Sequence, residues 1–161
     1  MILETNANRN QIETFKHNLV RAVLIGKDLE EVDLSEGTLR EANFSRAFLN
    51  RANFRKADLT GADFHAASLT NSQFVRAYLI NVNFIGANLR NSDLRGADLM
   101  GAKLTAANLK GANLKFAENL THIQVQEAIL DRSTLIPEYL EVSWIDDDRF
   151  VCRQLVRSTY Y

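Results

Sequence analysis

The residues that could carry chemistry in this chain are few and scattered. Its three histidines are His17, His65 and His122, and His65 stands at a position with no second histidine or carboxylate set to share a metal ion. Cys152 is the single cysteine, so there is no internal disulfide and no thiol cluster, and no histidine stands beside it as a base. It reads as a packed small apolar residue. The acidic run Asp146-Asp147-Asp148 lacks the alternating spacing of a calcium loop. Nucleophile-elbow, phosphate-loop, dinucleotide and zinc-protease signatures are all missing. Aspartates are plentiful, and Asp58 with Asp98 and Asp33 with Asp93 recur at equivalent places of the pattern described next. Acid–base work would need such a pair inside a pocket that raises one pKa. Turn chemistry is the simpler use, since Asp and Asn side chains bond nearby backbone. The reading is of a protein that is not an enzyme, with no catalytic residue, metal or cofactor assigned.

The element that positions these residues has a period of five. From Leu19 to Leu114 every fifth residue is Leu or Phe. Two places earlier stands a small residue, usually Ala, as at Ala42, Ala47, Ala52, Ala57 and Ala62. Ser72, Ser92 and Gly37 keep that size, Val32 and Val82 stretch it, and Lys27 breaks it. Such a period builds no apolar helix face and flips between the two faces of a flat strand. It suits a chain that turns a corner every five residues, with each Leu or Phe and the small residue before it pointing inward. With four sides, a coil holds twenty residues. All five core Phe then fall on two opposite sides, Phe44, Phe64 and Phe84 on one and Phe54 and Phe74 on the other. Like rings would stack on like rings. Any period of ten places them equally well, so this supports a coil of twenty without proving it.

The units Ala52-Asn53-Phe54-Arg55-Lys56, Ala57-Asp58-Leu59-Thr60-Gly61 and Ala97-Asp98-Leu99-Met100-Gly101 closely resemble those of the pentapeptide repeat proteins. The resemblance covers Ala22 to about Ala117. It implies an all-β solenoid, a right-handed quadrilateral β-helix, here just under five coils and roughly 20–25 Å long at a strand spacing of about 4.8 Å. Gly61, Gly86, Gly96, Gly101 and Gly111 would ease its corners.

Solenoid ends need caps. Three segments follow: an N-terminal helical cap over 1–19, the β-helix over 20–118, and a C-terminal helical cap and tail over 119–161. Asn10 as N-cap with Glu13 predicts a short first helix whose Ile12 and Phe15 cover the first coil. Thr121 with Gln124 predicts a helix from about Ile123 to Leu130. Pro137 begins a further turn. Trp144, Ile145, Phe150, Val151, Leu155 and Val156 are apolar, so folding back as a cap is favoured for the tail over pairing with another chain or partial disorder.

Composition bounds the function. The formal net charge is −1, and 46% of the residues are hydrophobic. No apolar run approaches the roughly 20 residues that span a bilayer. The N-terminus lacks the basic and apolar regions of a secretory leader, so a cytoplasmic location is the expectation. The sequons at Asn43 and Asn119 are then accidents of an Asn-rich repeat.

Two outward features remain. Arg55, Lys56, Arg76, Arg95 and Lys115 form a basic stripe, and Tyr78, Ile80, Ile85 and Met100, with Val75 and Phe48, form apolar exposures suited to a partner. The family's best-known activity is inhibition or protection of DNA gyrase by mimicry of duplex DNA, which needs a negative rod. Residues 20–118 hold 13 Lys and Arg against 11 Asp and Glu, a net +2, whereas 119–161 carry −3. The favoured function is therefore a protein-interaction or regulatory scaffold module similar to small cyanobacterial members of the family. It would act through an unidentified protein partner, with nucleic acid unfavoured, no membrane, and a monomeric or weakly dimeric state. Gyrase mimicry is the alternative.

Overall fold

A computed structural model describes residues 7–155. Val156, placed with the tail above, and residues 1–6 of the segment searched for a leader lie outside them. Every coil is built from the same local event. The residue at the middle of each side starts a turn, and the third residue of that turn takes the left-handed conformation. All twenty corners from Arg21 to Phe116 have φ between +54° and +72°, six of them glycines. The turn closes through a bond such as Ala22 N–H to the Leu19 carbonyl at 3.0 Å. A left-handed third residue is what a type II turn requires.

Parallel bridges join every fifth residue, the one before each central Leu or Phe, to the residue twenty places on, in an unbroken run from Val23–Asn43 to Asp98–Glu118. This fixes the coil at twenty residues and four sides, and the rod is a right-handed quadrilateral β-helix. The sides are numbered here by their central residues. Side 1 carries Leu24, Phe44, Phe64, Phe84 and Leu104, side 2 the Leu29 column, side 3 Leu34, Phe54, Phe74, Leu94 and Leu114, and side 4 the Leu39 column. Each inward Leu or Phe from Leu19 to Leu99 has its N–H paired to the next coil, as Leu24 N–H to the Asn43 carbonyl at 2.7 Å. No buried backbone edge is left within the stack.

The two phenylalanine columns interlock. Phe44 stacks on Phe64 at 4.9 Å and Phe64 on Phe84 at 5.2 Å, while Phe54 stacks on Phe74 at 4.9 Å. Across the core the columns meet edge to face at 5.6–6.0 Å. Ser72 and Ser92, buried in the small column, donate their hydroxyls to the Leu69 and Leu89 carbonyls at 2.7 Å, which offsets their desolvation.

Both ends differ in detail from the sequence expectation. Helix α1 spans Arg9–Thr14 with Asn8, not Asn10, as N-cap. Glu13 instead accepts from the Asp33 N–H at 2.8 Å, and Arg9 donates to the Glu31 carbonyl at 2.8 Å, so the helix satisfies the open edge of the first coil. Gly37 is glycine for this reason: a Cβ there would stand 2.9 Å from the Lys16 carbonyl oxygen of the cap.

At the other end α2 is His122–Gln126, with the Thr121–Gln124 capping box present. It stops early because the chain re-enters the coil. Ile129 bridges Asn108 and Leu135 bridges Asn113, with Ala128 and Leu130 buried as a further inward pair. The solenoid thus runs past residue 118. The tail folds back as a hairpin of β1 (Leu140–Trp144) and β2 (Phe150–Gln154) that buries Leu140 and Cys152. The Tyr139 hydroxyl accepts from the Leu120 N–H and donates to the Ala117 carbonyl, tying this end to the last coil.

Candidate functional site

The outward side chains decide what the rod can do, and most serve the corners. Where the residue before a central Leu or Phe is Asn or Asp, its side chain accepts the N–H two residues on: Asn43 from Ser45, Asp58 from Thr60, Asp63 from His65, Asp93 from Arg95 and Asp98 from Met100, at 2.9–3.1 Å. This is the turn chemistry expected of Asp and Asn. The recurring aspartates do not meet. Tyr78 stands between Asp58 and Asp98, and Asn53 and Gln73 between Asp33 and Asp93, so no two of these carboxylates share a proton. Among the described residues no cluster of His, Cys, Asp and Glu is arranged to hold a metal ion. No helix among them is long and apolar enough to cross a membrane. Cys152 is buried, and that burial pushes its thiol pKa up, away from the reactive thiolate.

Several corner charges pair up the rod. Arg21 meets Glu41 at 2.7 Å, Arg51 meets Glu31 at 3.1 Å and Lys56 meets Glu36 at 2.9 Å, each pair one coil apart. The Arg21 guanidinium holds the Glu41 carboxyl below its usual range through hydrogen bond and charge, and Lys56 does the same to Glu36. All these groups are exposed, so they set surface charge more than stability.

The edge between sides 3 and 4 stands apart. It carries Arg55, Val75, Arg95 and Lys115 in one column and Lys56, Arg76, Gly96 and Phe116 in the next. A groove of about 490 Å³ runs along it, lined by Arg55, Arg76, Arg95 and Phe116 among others. A second depression adds Tyr78, Asp98 and Glu118 round the corner. A third, of about 690 Å³, lies between Phe116 and the Pro137–Tyr139 turn. Phe116 lines all three and is 69% exposed. Arg95 is held by Asp93 through both carboxylate oxygens, the closest contact being 2.7 Å. Partly buried Asp93 is first pushed up by that desolvation, but its bonds with Arg95 leave its pKa lowered.

The structure therefore unites two groups that the sequence kept apart, since Tyr78 borders the groove that Arg55, Arg76 and Arg95 line. Of the rest of the apolar set, Val75 lines the same groove and the others lie elsewhere. Met100 stacks over Ile80 on the edge between sides 4 and 1, where the Asn81 N–H bonds the Met100 carbonyl at 2.7 Å. Ile85 sits one edge further, across side 1. Ile80 and Ile85 are half-buried, whereas Tyr78 and Met100 are exposed. Phe116 escaped the sequence reading. Its signal was available, because it is the single aromatic among the twenty corner residues.

The match to known proteins covers this same array. A family model described as pentapeptide repeats matches in overlapping blocks over residues 18–55, 39–74, 57–96 and 77–115. No curated protein matches the chain. Among solved structures, a pentapeptide repeat protein from Nostoc PCC 7120 is 24% identical, covers 86% of this chain and 89% of its own, and superposes with a TM-score of 0.54. One from the Arabidopsis thaliana thylakoid lumen is 35% identical over 62% of this chain and 72% of its own, with a TM-score of 0.40. One from the cyanobacterium Cyanothece 51142 is 26% identical over 71% of this chain and 90% of its own, with a TM-score of 0.39.

Proposed function

This chain belongs to the pentapeptide repeat family, and from that premise we propose that it is a non-catalytic protein-interaction module: a short rod that presents outward side chains to a protein partner. The observation that carries this reading is the set of large apolar side chains at outward positions where the fold asks for none. Tyr78 is 54% exposed and Met100 50%, yet the coil needs only a turn-former or a polar residue at either place. Exposed aromatic and Met side chains beside arginines have the composition of contact surfaces. Mimicry of duplex DNA fits less well. The array is net +2, and the corner carboxylates Glu31, Glu36 and Glu41 are each neutralised by an ion pair.

Affinity capture from native lysate tests the reading, with wild type set beside Tyr78→Asp and Met100→Asp. Both positions are at least half exposed, so both variants should fold with an unchanged far-ultraviolet spectrum. Discrete proteins retained by wild type and lost from at least one variant are expected. No protein retained specifically by wild type would count against an interaction module.

A further inference from the structure

We infer that the groove on the edge between sides 3 and 4 binds an acidic, extended segment of a partner protein, anchored on Phe116. The inference rests on the interaction-module reading and names the chemistry of its partner.

Phe116 is the first observation. Its φ is +61°, a conformation that bulky side chains disfavour and that glycine or asparagine adopts readily. Glycines, Asn, Ala and long charged residues fill the other corners. The ring gains little shelter in exchange, since it stays 69% exposed. A residue that is both strained and exposed is paid back in function more readily than in stability.

Charge is the second observation. Arg55 with Lys56, then Arg76, then Arg95 climb the groove over three successive coils, about 4.8 Å apart along the axis. Lys56 leans on Glu36 and Arg95 on Asp93, but Arg76 makes no ion pair with a carboxylate among the described residues. Gly96 clears the space between Arg76 and Phe116: a Cβ there would already touch the Arg76 Cγ at 3.5 Å. The groove thus presents a cation row with an aromatic at its upper end.

The flanking acids choose between partners. Glu36 stands one coil below Lys56 at the foot of the groove, Asp93 lies on the side 3 flank, and Asp98 and Glu118 lie beside Tyr78 on side 4. A polyphosphate carries charge at every step and cannot avoid them. A peptide with spaced carboxylates can set these on Arg55, Arg76 and Arg95, lay an apolar side chain on Phe116, and keep neutral residues against Asp98 and Glu118.

Selection of displayed random peptides against the intact protein tests this. Peptides rich in Asp and Glu with at least one aromatic or large aliphatic residue should be enriched. By fluorescence anisotropy, Arg76→Glu and Phe116→Asn should each weaken a selected peptide about tenfold or more, as loss of a central anchor does. Phe116→Asn should do so with no loss of thermal stability, because Asn suits the left-handed corner. Enriched peptides without acidic residues, or peptides indifferent to both variants, would overturn the inference while leaving the interaction module standing. Competition by a single-stranded oligonucleotide at equal charge concentration would overturn it in favour of a nucleic-acid surface. Failure of the module itself would show separately, as no specific capture from lysate.

Discussion

The phenylalanine columns make a quantitative prediction, because the five rings differ in how many ring partners they have. Phe64 touches four: Phe44 and Phe84 stacked, Phe54 and Phe74 edge to face. Phe84 touches two, Phe64 stacked and Phe74 edge to face. Both side chains are fully buried on side 1, whose end positions are already Leu. Phe→Leu at either place removes similar apolar area, so that contribution nearly cancels between the two variants. Each ring pair contributes about 0.5–1.5 kcal/mol beyond area burial. Phe64→Leu should therefore destabilise by about 1–3 kcal/mol more than Phe84→Leu, from two extra pairs. Guanidinium unfolding followed by far-ultraviolet circular dichroism measures both, with equal m-values as the condition for comparing midpoints. Phe54→Leu and Phe74→Leu, with three ring partners each, should fall between. Equal losses for Phe64 and Phe84, or the reverse order, would refute the interlocked ring stack as a source of stability.

Three further outcomes follow from the corners and caps. Ala66→Gly and Ala106→Gly, at φ +54° and +57°, should each raise stability by about 0.5–1 kcal/mol in thermal unfolding, since relief of left-handed strain exceeds the added freedom of the unfolded chain. Gly37→Ala places its Cβ 2.9 Å from two backbone oxygens, so it should cost about 1–3 kcal/mol as overpacking and speed hydrogen exchange at the Thr38 amide, which bonds Lys16. Asp131 accepts from the Ser133 hydroxyl and N–H, the Gly111 N–H and the Thr134 hydroxyl, which hold its pKa below the usual aspartate range. Its contribution is therefore present above the unfolded-state pKa and lost as pH falls through the folded-state one. Asp131→Asn should flatten that acid-side fall in melting temperature, and an unchanged pH profile would contradict the assignment.

Much of this was legible in the residues, and the reasons differ by element. The spacing of Leu and Phe by five is a direct image of the coil, because only inward positions need bulk and only corners need left-handed conformers. The placement of Phe on opposite sides followed from position alone. Handedness did not, since a period carries no chirality; the family resemblance supplied it. The N-cap was misplaced because Asn8-x-x-Gln11 and Asn10-x-x-Glu13 overlap as equally good capping boxes. Glu13 was needed by the Asp33 N–H, a contact between residues twenty apart in sequence that local pattern cannot show. Helix α2 was drawn too long because Ala128-Ile129-Leu130 fits a helix as well as a coil side. Its bridge to Asn108 decided for the coil. At the surface, Arg55, Arg76 and Arg95 were visible as a basic stripe, but their junction with Tyr78 needed the geometry of the corner. Phe116 was hidden for a simpler reason: it stands two residues past Leu114, the last Leu of the regular array, where the repeat was already fading.

The central claim is that one edge of the rod is where a protein partner docks. A photo-crosslinking residue placed at Tyr78, on side 4 beside that edge, and in a second protein at His65, exposed on the edge between sides 1 and 2, tests it in native lysate. A discrete protein adduct from position 78 with none from position 65 is the predicted result. Adducts from neither position, or the same adducts from both, would contradict it.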